Sequence, residues 1–571
     1  MTNEFIATKE QDAIIGADLG SQCVLACAGS GKTATAVRRL VEVRRRLGAS
    51  RGYVALLSYS NVAVDTFRRE YESLSRDSFL KHSERVLIAT ADSFTTTQIV
   101  APHAGRLMNC ARQPFLVRGL EPFLGGHKIY NGQFPVGIDT LQVSLEANAD
   151  CIYSLKGVGP STPLSRGTAE SAILKLAKIG AYTHELGRYW ALRALRECDR
   201  LAQIVARRFP HILVDEAQDV GSLHGAMLML LQEQGATVTL IGDPNQAIFE
   251  FADADGSFLR SFAKDTSPQP LTANRRSVAA IVGVANELSG ASATTVRGNP
   301  DRISGAYILP YSPKSIDSVR QSFAMLLKNA GYETSDAAIL CRGRSMVEQI
   351  TGGETTGRGA TQRFVRAAIC RDRQGDVVKA FEFLLDGTLK LLKQPPDTLR
   401  RDVLNSSPDP VARVVKRVLW RFLRNPVTGL PSATLAARSQ WHPALKDRLS
   451  ALLESLNKMV GLETSPSWKN NLTTGDLNDS PLGVVVLAEA NETVPVRTVH
   501  EVKGEGIAAV LYLAKKSDIS NLMGGSLTEE GRIGYVAVTR ARDLLIIGVP
   551  EGSDAKTLAR LSAIGLKPWE S

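Results

Sequence analysis

The segment Ala26-Cys27-Ala28-Gly29-Ser30-Gly31-Lys32-Thr33 constrains this chain more than any other. It follows a short apolar run, Val24 to Ala26, and opens a helical pattern, the context in which backbone N–H groups close around a phosphate. Gly29 and Gly31 allow those groups to converge without a Cβ in the way, with Ala28 and Ser30 completing the cradle. Lys32 offers charge to β- and γ-phosphates, and Thr33 offers a hydroxyl to Mg²⁺. Ala26 stands where the strict pattern has glycine, at a position that needs only a small side chain.

A loop of this kind needs a parallel sheet behind it, and the chain carries two series of suitable strands. Val24 to Ala26, Val54 to Leu57, Val86 to Ala89, Ile212 to Val214 and Val238 to Ile241 form the first. Ala338 to Leu340, Val484 to Leu487, Val510 to Leu513 and Leu544 to Val549 form the second. Helical patterns separate the strands, so the fold class is α/β, with ligands expected at the carboxyl ends of the strands. Two mostly helical insertions interrupt the series. The expected domains are 1–95 and 206–270 for the first core and 96–205 for its insertion, then 271–348 and 483–571 for the second core and 349–482 for its insertion. Ala172 to Lys178, Tyr189 to Leu201, Val411 to Leu423 and Leu445 to Leu456 are the clearest helices of the insertions. Gly352 to Gly359 and Thr464 to Asp479 read as polar surface loops.

A length of 571 residues gives room for several packed cores, and 44% apolar with 22% charged residues excludes wholesale disorder. Sixty-eight Lys and Arg against 58 Asp and Glu leave a net charge of +10, which favours a polyanionic partner, nucleic acid first. No stretch approaches the roughly 18 uninterrupted apolar residues of a membrane span. Met1 to Glu10 lacks a basic and then apolar leader, so a cytoplasmic protein is expected. The seven cysteines show no paired metal-binding spacing and read as reduced core thiols.

Ile212-Leu213-Val214-Asp215-Glu216-Ala217-Gln218-Asp219 supplies a second piece of chemistry. A buried apolar strand delivers Asp215 to the sheet edge, where a carboxylate can hold the water shell of Mg²⁺. Glu216 beside it can act as general base on an attacking water.

Together with the phosphate loop, this DEAQD segment makes the chain resemble the superfamily 1 DNA helicases of the UvrD, Rep and PcrA type, and the further motifs follow in that family's order. Gln11 in Thr8-Lys9-Glu10-Gln11 resembles the adenine-reading glutamine. Ser58-Tyr59-Ser60-Asn61 and Thr90-Ala91-Asp92-Ser93-Phe94 resemble two strand-contacting motifs, which implies DNA contacts for Ser58, Asn61, Thr90, Ser93 and Phe94. Gly242 to Phe249 resembles the motif whose glutamine, here Gln246, senses the γ-phosphate. Asn274-Arg275-Arg276-Ser277 resembles a motif that puts Arg276 on the γ-phosphate. Thr498 to Glu505 resembles the motif joining DNA, through Thr498 and His500, to the ribose, through Glu505. Tyr535 to Arg542 resembles the last motif, with Arg540 as a second arginine finger.

The resemblance implies two RecA-like cores with ATP between them, and an ATP-driven 3′ to 5′ motor on single-stranded DNA and duplex junctions. Two departures stand out. Arg275 replaces an adenine-stacking tyrosine, leaving adenine selectivity open, and Phe251-Ala252 replaces an aromatic followed by arginine. Phe249 and Phe251 can either stack on bases or pack in the core. Arg44-Arg45-Arg46 reads as a solvated helix end.

Size and layout also resemble the helicase subunit of Gabija anti-phage systems, which implies a defence or repair setting and a separate nuclease of the OLD type. A second function class is therefore an ATPase subunit that senses DNA ends and regulates that nuclease with little unwinding. A third, an RNA helicase, is disfavoured by DEAQD itself.

Overall fold

The computed structural model describes residues 6–569 apart from 78–84, 120, 125, 131–134, 147, 157–161, 251–252, 351–359, 374, 397, 405–408, 475–476, 478, 480 and 483–493. The expected strand Val484 to Leu487 and the loop Gly352 to Gly359 lie outside the described residues. The chain divides into two compact units. One holds 1–316, 325–344 and 495–571, the other 317–324 and 345–494.

The first unit contains two six-stranded sheets. One has the order Gln269–Leu271, Gln22–Ala26, Thr237–Gly242, His211–Asp215, Val54–Ser58, Val86–Thr90. Each pairing in it is parallel. This arrangement is what builds the site, because parallel strands expel all their carboxyl-terminal loops at one edge. The loops after Ala26, Ser58, Thr90, Asp215 and Gly242 therefore meet. The second sheet has the order Val496–Thr498, Ala337–Cys341, Ile507–Leu513, Ala541–Pro550, Gly305–Tyr311, Lys567–Pro568, again parallel throughout. Its strands are covered on both faces, so they read as apolar runs; Leu544, Leu545, Ile546 and Ile547 are all fully buried.

The stretch after Thr90 departs from the helical expectation. Arg166–Ala177, His184–Glu197 and Asp199–Arg208 are helices, but the chain before them forms short sheets, including the antiparallel pair Leu141–Leu145 with Cys151–Leu155. The signal was alternation: Leu141 and Val143 are buried while Gln142 and Ser144 are not. This insertion does not stand apart. Trp190, Leu186 and Ile173 share one core with Leu57, Ile212 and Val214 of the first sheet.

The second unit is helical, with Ala360–Asp372, Val377–Leu389, Leu399–Leu404, Pro410–Arg424 and His442–Val460 around Phe364, Leu384, Leu419, Leu445 and Leu453. Trp441 is fully buried, its indole N–H donating to Pro431 O at 3.2 Å, and Trp420 stacks on Phe381 at 4.6 Å. Both serve the core of this unit, and Trp468 packs at its margin.

The expectation of a solvated helix end holds for Arg45 and Arg46, which are exposed, and fails for Arg44. Arg44 is fully buried and donates to Gly52 O, while Arg46 donates to the carbonyls of Gly16 and Ala17. The reason is that the helix Lys32–Leu47 packs its last turn under the chain on either side. Of the cysteines, Cys23, Cys341 and Cys370 are buried, whereas Cys198 is exposed and not a core thiol. Among the described residues no helix is long and apolar enough to cross a membrane.

One buried charge holds the second sheet to its surroundings. Asp543, fully buried, accepts from Arg297 at 2.7 and 3.0 Å and from Arg302 at 2.9 Å. Asp543→Ala strands two guanidiniums at the edge of the core and is expected to destabilise the fold by about 3 kcal/mol. A thermal melt checks it, and an unchanged midpoint would show that the network contributes nothing.

Candidate active site and strand-facing surface

The phosphate loop folds as its glycines require. Gly29 and Gly31 take φ of +73° and +78°, a region closed to most side chains. A Cβ on Gly29 would lie 2.5 Å from Arg276 Cβ, so only glycine fits between this loop and the second core. Asn274 seals the junction, its Nδ2 donating to Ala28 O at 2.8 Å, while Arg275 N–H donates to Gly29 O at 2.9 Å. Gln11 is fully buried. Its Nε2 donates to Ser30 O at 3.3 Å and to Thr35 Oγ1 at 3.2 Å, and its Oε1 accepts from Thr8 N–H at 3.0 Å and Arg275 Nη2 at 3.1 Å. In this structure the Gln11 amide thus braces the phosphate loop instead of facing an open base pocket, because its helix is capped by Thr8 directly against that loop.

Asp215 ends its strand with the side chain buried, and its Oδ2 accepts from Thr33 Oγ1 at 3.4 Å. Its Oδ1 is enclosed without a partner among the described residues. A buried, unsatisfied carboxylate oxygen beside a hydroxyl is a poor structural device and a good donor pair for a hydrated Mg²⁺, so Thr33 and Asp215 fit that ion. Burial, reinforced by the Glu216 charge, pushes the Asp215 carboxyl above its ordinary range. Glu216 is held in the left-handed region at φ 54°. Burial would raise its carboxyl too, but Lys32, Lys503, the Gln218 amide and Arg540 hold it down, so it is the ionised member of the pair.

Two arginines of the second core close on this edge. Arg540 is fully buried. Its Nη2 donates to Gln246 Oε1 at 3.0 Å, and Gln246 Nε2 donates to Asp243 Oδ2 at 2.6 Å, forming a chain across the cleft from one core to the other. Arg276 is fixed by Thr539 O and Gly504 O, each at 3.1 Å. Burial and the neighbouring Arg276 charge lower the pKa of Arg540, which as a guanidinium stays charged. Glu505 is not drawn in. Its carboxylate pairs with Arg497 at 2.7 Å on the exposed edge, and it is the Glu505 carbonyl that accepts from Arg540.

The residues expected to face a strand divide. Asn61 and Ser93 are exposed at the starts of their helices, and Thr90 caps the helix Ala91–Phe94, accepting from Ser93 N–H at 3.1 Å. Phe94 does not face out. It is 4% exposed and packs edge-on against Phe209 at 5.0 Å, because a four-residue helix lying on the sheet turns its one aromatic inward. Ser58 is likewise fully buried. Thr498 N–H donates to Glu501 Oε2 at 2.9 Å, and His500 Nε2 lies 3.2 Å from Ile248 O. Phe249 is half-buried, with Lys503 Nζ 4.6 Å from its ring centre and His500 at 6.0 Å. Phe251 lies outside the described residues.

With this geometry in place, the similarities to known proteins become informative. Residues 171–267 match the UvrD/REP helicase N-terminal domain, and residues 422–551 match the UvrD-like helicase C-terminal domain. The chain is 22% identical to ATP-dependent DNA helicase UvrD1 and 24% identical to UvrD2 of Mycobacterium tuberculosis. The alignments cover 92% and 90% of this chain and 79% of each relative. It is also 24% identical to DNA helicase II of Haemophilus influenzae over 51% of this chain and 40% of that protein. The two family models and these relatives together support a UvrD-type superfamily 1 helicase. Two features of this helicase escaped the reading of motifs. Lys503 forms a buried ion pair with Asp219 at 2.6 and 2.7 Å, linking the two cores. Glu10 accepts from Thr272 N–H at 2.8 Å and from its hydroxyl at 2.6 Å. Both Lys503 and Asp219 sit inside quoted motifs, yet spacing in sequence carries no hint that they meet.

Proposed function

We propose that this ATP-dependent DNA helicase is a 3′ to 5′ single-stranded DNA translocase, and that ATP is hydrolysed in the cleft where Arg540, Gln246 and Asp243 join the two cores. That chain of hydrogen bonds carries the reading, since it puts Arg540 and Arg276 within the electrostatic reach of Glu216. Ala28 to Thr33 would cradle the phosphates, with Lys32 neutralising them. Bound at Thr33 and Asp215, Mg²⁺ would offset charge on the transferring phosphoryl group. Glu216, ionised, takes the proton of the attacking water, while Arg276, Arg540 and Gln246 meet the charge that develops. Arg275 would border the base, with Gln11 bonded to it from behind the phosphate loop. Asn61, Ser93, Thr90, Thr498, His500 and Phe249 line the strand side. Cleft closure and opening then change the spacing of two strand-holding surfaces, which converts turnover into steps.

The direct test is ATP hydrolysis with single-stranded DNA, duplex and RNA, together with unwinding of duplexes bearing a 3′ or a 5′ tail. Stimulation by single-stranded DNA and unwinding from the 3′ tail support the reading; preference for the 5′ tail would overturn the polarity. The affinity for single-stranded DNA is expected to fall with salt at a log–log slope of roughly −0.7 per neutralised phosphate. A flat salt profile in an anisotropy titration would remove the backbone as the ligand. The net charge of +10 supports this electrostatic component. The compact layout supports a narrower setting, a defence complex with a separate nuclease, which pull-down with a co-expressed OLD-type nuclease tests.

A further inference from the structure

A buried polar chain lies beneath the two segments that carry the strand-facing residues of the first core. His224, on the helix Ser222–Glu233 that starts three residues after Asp219, is 6% exposed. Its Nδ1 is 3.3 Å from Tyr59 Oη, in the turn between the strand Val54–Ser58 and the helix Asn61–Asp77. Its Nε2 is 3.3 Å from Thr95 Oγ1 and 3.5 Å from Asp92 Oδ1, on the segment that follows the strand Val86–Thr90. Asp92 in turn holds Arg188 by two bonds of 2.7 and 2.8 Å. Arg188 reaches Glu185 at 3.3 Å, and Glu185 accepts from Val143 N–H in the insertion.

The hydrogen bonds have a direction. Thr95 Oγ1 already donates its proton to Ala91 O at 2.8 Å, so it can only accept from His224. Nε2 therefore carries the proton and gives it to Thr95, with Asp92 beside the pair, and Nδ1 is the acceptor for the Tyr59 hydroxyl. Burial, with the Arg188 charge, keeps the imidazole neutral at physiological pH. A neutral, single-tautomer ring joins three elements in one order, Tyr59 to His224 to Thr95 and Asp92. The run Thr95–Val100 that it touches is π-helical, a local irregularity that a regular helix would not need.

We propose that His224 is a positioning residue. It fixes the Ser58–Asn61 and Thr90–Phe94 segments relative to the helix behind the Asp215–Asp219 carboxylates, so that strand binding and ATP turnover are coupled through it. This rests on the motor reading above. The ground is geometric, since His224 touches both segments from a third element through this chain of bonds and the ring itself is too deep to meet DNA.

The experiment compares DNA-stimulated and DNA-free hydrolysis in the full chain. His224→Leu should raise the DNA concentration for half-maximal stimulation about tenfold, the scale of a lost buried hydrogen bond. DNA-free turnover should stay within about twofold. His224→Asn keeps an acceptor near the Nδ1 position, and His224→Gln keeps a donor near Nε2, so each should lose only part of the effect. Tyr59→Phe removes one oxygen and should match His224→Gln, with no added loss in the double variant; it also serves if His224→Leu does not fold. Nitrogen chemical shifts of His224 should report Nε2–H. Normal stimulation that all these variants leave unchanged would overturn the coupling role alone, and so would equal losses of DNA-free and stimulated turnover. An Nδ1–H tautomer would overturn the direction of the chain. Absence of any DNA stimulation in the unaltered protein would overturn the motor reading itself, and the tautomer measurement would still judge the hydrogen-bond chain.

Discussion

Arg540→Ala is expected to leave ATP affinity within a few-fold while cutting DNA-stimulated turnover by roughly 10³ or more. The physical ground is where the guanidinium sits. It is fully buried, bound on three sides by Val536 O, Glu505 O and Gln246 Oε1, and it lies within electrostatic reach of the Glu216 carboxylate. A group so held has no freedom to follow the ground state and acts on charge that develops later. Arg276→Ala should behave alike, since its head is tied to Thr539 and Gly504 beside it. Because Thr539 contacts both guanidiniums, the double variant should lose much less than the product of the single losses. Arg540→Lys should rescue poorly, for a single ammonium cannot hold three diverging acceptors. Single-turnover hydrolysis with a nucleotide-binding titration checks all four. An Arg540→Ala protein that hydrolysed ATP at the normal rate would separate the two cores chemically.

Why some of this was legible in the chain and some was not follows from the range over which each feature is written. The run Val24 to Ala26 and the two glycines after it are local, so strand, loop and helix could be read together, as could the buried strand that ends in Asp215. The parallel order of the sheet follows from apolar runs separated by helices. The short strand Leu141–Leu145 was hidden because its alternation, Leu141 and Val143 against Gln142 and Ser144, is carried by only a few residues. Phe94 illustrates a different limit. An aromatic at the end of a polar motif looks the same whether it faces a base or Phe209, and only the docking of its short helix decides. Arg44 was misread for a similar reason, since the carbonyls of Gly48 and Gly52 that surround it come from a loop whose path is not coded by composition. Contacts such as Arg540 with Gln246, or Lys503 with Asp219, join residues 294 and 284 positions apart and depend on how two sheets meet. Motif order brings such residues to the right edge of the right sheet; it does not say which atoms touch.

Glu216→Gln should separate binding from hydrolysis, keeping ATP affinity at or above its normal value while lowering turnover by roughly 10² to 10⁴. The substitution is nearly isosteric and sits at a backbone position, φ 54°, that Gln can share with Glu as poorly or as well. What changes is charge and basicity. The lost carboxylate was the group that Lys32, Lys503 and Arg540 kept ionised, and a neutral amide cannot accept a proton from water. Asp215 gains from the change, because the neighbouring charge that raises its pKa is removed and its carboxylate is more readily ionised at neutral pH. With Thr33 and Asp215 untouched, the residues that would hold Mg²⁺ remain. A nucleotide-loaded protein that does not turn over should also hold single-stranded DNA longer, since release would wait on hydrolysis. The measurement is a nucleotide titration beside a steady-state rate and a DNA dissociation trace. Loss of nucleotide binding would show that Glu216 builds the site instead of acting on water, and an unaltered rate would move the base to another residue.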